Sequence, residues 1–289
     1  MKRITAGTIL NYAFISLIGL VTLYPFIYIL STSITPAKAL LSGRVLFLPK
    51  GFDLSAYRLM LADPRLPRGF VNSLKYTAAG TLLGVIVTVV TAYPLAHPQF
   101  ERYAKHYMKF VVFTMLFSGG LIPTFLAISN YHLIDSFWVM VLPGLLSPFY
   151  LILVRTFMKE IPREMFESVM LEGASHIQAL IFVMLPLSAP IIACVTFYYA
   201  VAIWNNYMTP LIYLRSDTKF PLQIFLRQIV LQSSMSDQMA SAESSSSLSF
   251  NTEAIKSATL VISTIPIMIA YPFLQKYFVK GLMVGAIKG

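Results

Sequence analysis

Charge is what this sequence has little of. Only 12% of its 289 residues are Asp, Glu, Lys or Arg, while 57% are hydrophobic. A soluble domain carries about 25% charged residues to keep its surface wetted. A chain with half that fraction cannot cover itself in water, which excludes the soluble globular classes and leaves an integral membrane protein. Cysteine is nearly absent too: Cys194 stands alone, so no internal disulfide and no thiolate metal cage can form. The four histidines, His97, His106, His132 and His176, fall in or beside connections and make no metal-ligand spacing. No G-x-S-x-G or H-E-x-x-H occurs, so hydrolase and metalloprotease chemistry have no footing. "GLMVGAIKG", residues 281–289, puts three residues between Gly281 and Gly285. A phosphate-binding loop needs four, followed by Lys-Ser/Thr. Nucleotide binding by that route is excluded.

The net charge of +10 raises nucleic acid as a partner. The basic residues, however, flank apolar runs rather than cluster, which is the pattern of loops at a membrane surface. No nucleic-acid role is expected.

What the sequence does have is long apolar runs. A span needs about 20 residues at 1.5 Å each, and six windows qualify: about 10–30, 76–95, 110–128, 136–154, 187–207 and 258–273. Lys2 and Arg3 precede an uncharged run from Ile4 to Ala37 with no small-residue cleavage site, so the first window is read as an uncleaved span. All six are expected to be helices, because open strand edges go unsatisfied in lipid and the alternating segments of a barrel are missing. The windows contain no ionisable residue, which argues against a proton-coupled carrier. Sodium coupling through backbone carbonyls stays open. With the N-terminus inside, each side of the membrane holds eleven Lys/Arg, a tie. Short connections break it: Arg102, Lys105 and Lys109 follow the second window, and no basic residue follows the third. Both termini are therefore expected inside, with outer loops at 35–75 and 215–257. The serine run "SAESSSSLS", residues 241–249, reads as a solvated linker or as part of a loop that docks an external protein. In "SGGLIP", Gly119 and Gly120 are expected to serve close helix packing, and Pro123 offers a bend as the alternative.

One segment between the windows is built differently. In residues 162–186, Pro162 opens a helix, and Glu164 and Glu167 favour its positive end. Met165 or Phe166, Val169 and Met170 recur at helical spacing. Gly173 fits the position just past a helix end, where positive φ suits glycine. Ser175 and Gln178 match a capping box that starts a second short helix, and Pro186 closes it. Lipid-surface helices favour Lys/Arg on their polar face, yet residues 164–172 hold three acids, Glu164, Glu167 and Glu172, and no base. A protein partner is the better reading than a lipid surface.

The same residues carry a resemblance. Glu167, the pair Ser168-Val169, Gly173, Val183, Leu185 and Pro186 keep every spacing of the EAA loop of ABC importer permeases. Val169 is bulkier than the usual alanine, and Val183 replaces isoleucine. "GLIPTFLAISNYHLIDSFWVMVLP", "FYYAVAIWNNYMTPLIYL" and "YPFLQKYFVKGLMVGAIKG" widen the likeness to nearly the whole chain. The sequence resembles carbohydrate-importer permeases of the maltose type, and more closely the branch handling oligo- and polysaccharides, alginate or pectin fragments among them.

The resemblance implies an all-α membrane protein: a type I importer core of five spans plus one at the N-terminus, with the hairpin as a cytoplasmic coupling helix. It implies no enzymatic activity and no cofactor in this chain, with ATP and Mg bound by an ATPase dimer. It also implies a second homologous permease, an extracytoplasmic solute-binding protein, a saccharide substrate and a bacterial inner-membrane location. Coupling to the ATPases would fall to Glu167, Ser168, Glu172, Gly173, Leu185 and Pro186. A tail near Lys288 would reach the ATPases, and loop 215–257 would meet the solute-binding protein. On the fifth window, Tyr198 and Asn205 are seven apart, as are Tyr199 and Asn206. They read as a pathway stripe in which rings stack on sugars and amides bond hydroxyls. The amides read equally as glue between helices, and Trp204 and Tyr207 read as an interfacial belt. Two other function classes remain: a stand-alone carrier or channel, and a membrane scaffold for an enzyme.

Overall fold

The computed structural model describes residues 6–36, 39–40, 48–240 and 246–286. Among them the regular structure is entirely helical. Three helices are long and apolar enough to cross a membrane unaided, within Gly7–Ser33, Arg65–Ala96 and Glu253–Pro272. Three further pairs qualify only as bent spans: Pro98–Leu116 with Leu121–Asn130, Phe137–Gly144 with Pro148–Lys159, and His176–Leu187 with Ala189–Trp204, bent by 113°, 50° and 82°.

The expected window 110–128 is therefore not one helix. The chain stops at Leu116 and restarts at Leu121, with Gly120 at φ +83° and open space where its Cβ would be. The glycine pair serves a corner, not a close helix contact within this chain. The window 136–154 is likewise divided, into 3-10 turns at Phe137–Met140 and Leu142–Gly144 and a helix from Pro148. Pro148 occupies a first-turn position, where its missing N–H costs nothing. The two long connections are also more structured than loops. Residues 35–75 include a helix at Ser55–Ala62 and the first turns of Arg65–Ala96. Residues 215–257 include a helix at Leu222–Ala240 and the start of the 41-residue helix Ser246–Ala286. Half of the serine run, residues 241–245, lies outside the described residues, as does Lys288.

The chain divides into two compact units. The first comprises Met1–Arg68 with Ile224–Pro266. Its long N-terminal helix, Ala6–Ser33, buries none of its most apolar stretch within the chain, so that surface is left for lipid or another subunit. The helix end is tied down by Tyr57, whose hydroxyl donates to Ser33 Oγ at 2.8 Å, and by Asp53, whose N–H donates to Ile34 O at 2.8 Å. The Asp63 carboxylate accepts from Arg65 through both oxygens, which holds it below the usual carboxylate range.

The second unit, Gly69–Gln223 with Ile267–Gly289, carries the hairpin and the main core. It is built on the helices αA (Arg65–Ala96), αB (Pro148–Lys159), αC (Arg163–Leu171) and αD (Ala189–Trp204). Val89, Ala92, Tyr93 and Ala96 line one face of αA at helical spacing. They join a cluster with Leu151, Val154 and Met158 of αB, and Val195 and Tyr199 of αD. Glycine makes the αA–αD approach possible. A Cβ on Gly80 would lie 2.7 Å from Ile203 Cδ1, and one on Gly84 3.1 Å from Tyr199 Cε1 and 3.3 Å from Leu145 O.

A second knot fixes residues 213–222. Asp135, at φ +54°, accepts from the N–H groups of Arg215 and Ser216, from Ser216 Oγ and from Lys219 Nζ. These donors, led by Lys219, hold its carboxyl far below the ordinary aspartate range. Asn72 donates to Thr218 O and Phe220 O, and Tyr76 to Lys219 O. The segment behind the expected fifth window is thus pinned rather than loose.

Candidate functional site

The acidic hairpin takes its shape from local chemistry. αC begins after Pro162, which stands at the N-cap, one position earlier than the sequence implied. Glu164 lies in the first turn, where the helix dipole favours an acid. αC ends at Leu171, and Gly173 follows at φ +85°. Gly173 N–H donates to Met170 O at 3.1 Å and Ala174 N–H to Val169 O at 3.2 Å, a Schellman motif that satisfies two terminal carbonyls. Two residues on, Ser175 Oγ accepts from Gln178 N–H and the Gln178 side chain accepts from Ser175 N–H, closing the capping box. The second arm, His176–Leu187, includes a π-helical turn at Leu180–Met184 and bends by 82° into αD.

One side of the hairpin is held by rings. Phe166 packs edge-on against His97 with centroids 4.5 Å apart, and His176 lies 5.6 Å from His97. Tyr93, one turn before His97 on αA, brings its hydroxyl within 3.4 Å of His176 Nδ1. Burial, then the neighbouring His176, lowers the His97 pKa, so its neutral form is favoured. A group with a depressed imidazole pKa contributes stability above its unfolded value of about 6.5, lost as pH falls through the folded one. Sequence reasoning set the four histidines in or beside connections; His176 is indeed exposed, whereas His97 is half-buried. The i, i+4 pair Tyr93 and His97 at the end of an apolar helix was the signal that could have shown otherwise.

The other side is bare. Glu167, Ser168, Glu172, Gly173 and Pro186 are exposed, while Leu185 packs on the core. Leu171 is 89% exposed and Ile177 70%, so two large apolar side chains flank the turn uncovered. A rigid, acidic tip with uncovered apolar flanks is a surface shaped for a protein.

Beyond the 82° bend, the stripe expected on αD comes apart. Tyr198 is 39% exposed and stacks on the partly buried Tyr150 with centroids 5.9 Å apart, so the Tyr198 ring remains available to a ligand. Tyr199 is not available. It is 3% exposed, shares a hydrogen bond with Thr88 Oγ1 at 2.9 Å, and accepts from Ser147 N–H at 3.0 Å. Its role is to brace αA, αD and the entry to αB. Asn206 is also otherwise engaged: its side chain donates to Thr209 Oγ1 and accepts from Thr209 N–H, capping the short helix Met208–Tyr213. Asn205 is exposed at the C-cap of αD and keeps its candidacy. Trp204 leaves the interfacial belt, being 4% exposed with Phe70 edge-on at 5.7 Å, whereas Tyr207 is on the surface. Tyr150 was missed because nothing in "SPFY" marks which way its ring points.

Residues 23–284 match the family model for the inner membrane component of binding-protein-dependent transport systems. The chain belongs to that family. It is 37% identical over 286 residues to Protein LplC of Bacillus subtilis (strain 168), covering 96% of this chain and 94% of that one. It is also 37% identical over 281 residues to the polygalacturonan/rhamnogalacturonan transport system permease protein YtcP of the same organism, covering 97% of each. Among solved structures, a chain from a bacterial ABC transporter involved in the import of the acidic polysaccharide alginate superposes with a TM-score of 0.82. It is 32% identical, with 96% of this chain and 99% of that chain covered. Family membership makes this an all-α permease of the type I importer fold and places it in the inner membrane as a transport component.

Proposed function

We propose that this permease forms, with a second homologous permease, the translocation path of an ATP-driven importer for acidic oligo- or polysaccharide fragments. A solute-binding protein delivers the cargo from outside, and a cytoplasmic ATPase dimer, holding ATP and Mg, drives the cycle through the hairpin. The observation that carries this reading is the hairpin itself: rigid at both caps, ring-anchored on one side, and bare, acidic and partly apolar on the other. Glu167 and Glu172 would meet polar groups of the ATPase, Ser168 and Gly173 would shape the turn, and Leu185 and Pro186 would seat the second arm. In this reading the hairpin and both termini face the cytoplasm.

The cargo class rests on the relatives. A polygalacturonan/rhamnogalacturonan permease and an alginate transporter both serve polyanionic chains. The segments assigned outside hold eleven basic and seven acidic residues, a net positive balance that suits such cargo. Tyr198, backed by Tyr150, offers a stacking face, with Asn205 as a hydroxyl partner. The test is ATP hydrolysis by the reconstituted transporter with its solute-binding protein. Galacturonate or mannuronate oligomers are expected to stimulate it and neutral maltodextrins are not. Hydrolysis indifferent to every saccharide would return the chain to the stand-alone carrier class.

A further inference from the structure

Behind the hairpin lies a cavity of ≈ 180 Å³, many times the roughly 15 Å³ that one water needs. No role above uses the cavity itself, although Glu167 of the proposed coupling surface lies in its lining. Arg155, Lys159, Arg163 and His97 line it, with Glu101 and Glu167 as the only carboxylates in the lining. Lys159 Nζ stands 3.4 Å from Glu101, so one cation and one carboxylate answer each other. Arg155 gives its Nε–H to Leu95 O at 3.0 Å, which aims the guanidinium and leaves its two terminal nitrogens as donors. Arg163 is the first residue of αC, whose N-cap Pro162 has no side chain to cap the first-turn amides. Of the first-turn amides, Met165 N–H donates to Pro162 O at 3.2 Å. His97 Nδ1 accepts from Gln99 N–H at 3.2 Å, which puts the ring proton on Nε2. That Nε2 is shut off from solvent, and the ring packs against Phe166 and His176, so His97 walls the cavity without donating into it.

Two guanidiniums, with the Lys159 ammonium beside them, make a donor set for a tetrahedral oxyanion. A single carboxylate ligand would use fewer of them. The remaining wall is apolar, from Met158, Ile161, Phe166 and Met184, and suits carbon attached to that anion. Exposed on the neighbouring helix Glu101–Leu116 are Arg102, Lys105 and Lys109, with the exposed rings of Tyr103 and Tyr107 between them. Basic residues interleaved with tyrosine are what an anionic leaflet attracts. We propose that the cavity behind the hairpin is a binding site for a phosphate-bearing anion, with an anionic phospholipid headgroup as one source and free phosphate as the other. The lipid source rests on the reading that this face of the permease is cytoplasmic.

The test uses the purified full-length protein in nanodiscs of phosphatidylcholine alone or with phosphatidylglycerol, read by native mass spectrometry, and a titration of inorganic phosphate in the phosphatidylcholine discs. Phosphatidylglycerol is expected to be retained after mild delipidation. Arg163→Gln and Arg155→Gln should each weaken retention about tenfold or more, since each removes a charge-assisted donor. Lys105→Gln, on the exposed row, should change it less than threefold. Saturable phosphate binding with no lipid retention would support the site with free phosphate as its ligand. Equal retention by wild type, Arg163→Gln and Arg155→Gln, with no phosphate binding, would overturn the proposal. So would loss that follows Lys105 rather than Arg163. Circular dichroism of each variant shows whether it is folded, and saccharide-stimulated ATP hydrolysis, measured separately, reports on the transport reading alone.

Discussion

Gly173→Asp is expected to leave the permease inserted and assembled while separating ATP hydrolysis from uptake. Gly173 sits at φ +85°, between the carbonyl-capping bonds of αC and the box that starts the next arm. An L-residue there costs about 1–2 kcal/mol, somewhat less for Asp and Asn. Nothing lies within 4 Å of the added Cβ, so the fold of the chain has room for the side chain. What changes is the tip: its angle, and a fourth negative charge beside Glu164, Glu167 and Glu172. Asn at the same position has nearly the same shape and no charge. It should therefore lose less coupling than Asp, while Val, β-branched and intolerant of positive φ, should lose more. Glu167→Lys tests the same surface without touching the backbone. Its carboxylate is exposed and accepts no hydrogen bond from the described residues, so the loss should fall on the docked partner. A charge-assisted contact is worth about 1.5–3 kcal/mol, which is roughly a ten- to hundredfold weakening. Uptake and hydrolysis in proteoliposomes decide the matter. Normal uptake by both variants would count heavily against the hairpin as the coupling element.

The other large effect is expected at Gly84. A leucine there must place carbon where Tyr199 Cε1, Tyr199 Cζ and Leu145 O already stand, at 3.1, 3.2 and 3.3 Å from the position of its Cβ. Tyr199 cannot swing away cheaply, because its hydroxyl is bonded to Thr88 and to the Ser147 N–H. Leu145 O is backbone. Overpacking of this kind costs about 1–3 kcal/mol, and breaking the Tyr199 network adds the penalty of unpaired buried donors. Gly84→Leu should therefore sharply lower the temperature at which the detergent-solubilised protein stays monodisperse. Gly80→Ala is a milder case. The obstructing atom, Ile203 Cδ1 at 2.7 Å, is the end of a flexible side chain that can turn. Gly19→Leu, with nothing within 4 Å, is the control and should change little. A Gly84→Leu protein as heat-resistant as that control would mean that αA and αD do not pack as described.

These two sites show why one part of the molecule was legible in the sequence and another was not. The hairpin is written in short-range chemistry: Ser175 and Gln178 bond each other's backbone, and Gly173 stands where a left-handed residue must. Such signals need no knowledge of what packs nearby. αD has none of them. "APIIACVTFYYAVAIW" is apolar on every side, so no period marks which face turns inward. Tyr198 and Tyr199 were indistinguishable until the fold exposed one and buried the other. Asn205 and Asn206 divided in the same way, one exposed at a C-cap and the other capping the next helix. The corner at Gly120 was hidden for a related reason. A Gly-Gly pair has the same composition whether it allows helices to touch or the backbone to reverse, and only φ tells them apart. The helix Ser55–Ala62 within 35–75 is too short to flag by its period, whereas in 215–257 the helical spacing of Leu222, Phe225, Leu226 and Ile229 was a signal passed over.

In the proposed assembly a motor protein grips this permease at the bare tip of residues 162–186. Leu171, 89% exposed beside the turn, is the place to ask. With the lone Cys194 replaced by serine, a cysteine at Leu171 carrying a photoactivatable probe should label the ATPase subunit in the assembled transporter. ATP should alter the yield as the ATPase pair closes. Labelling only by lipid, or by a reagent confined to the outside of sealed vesicles, would contradict the account.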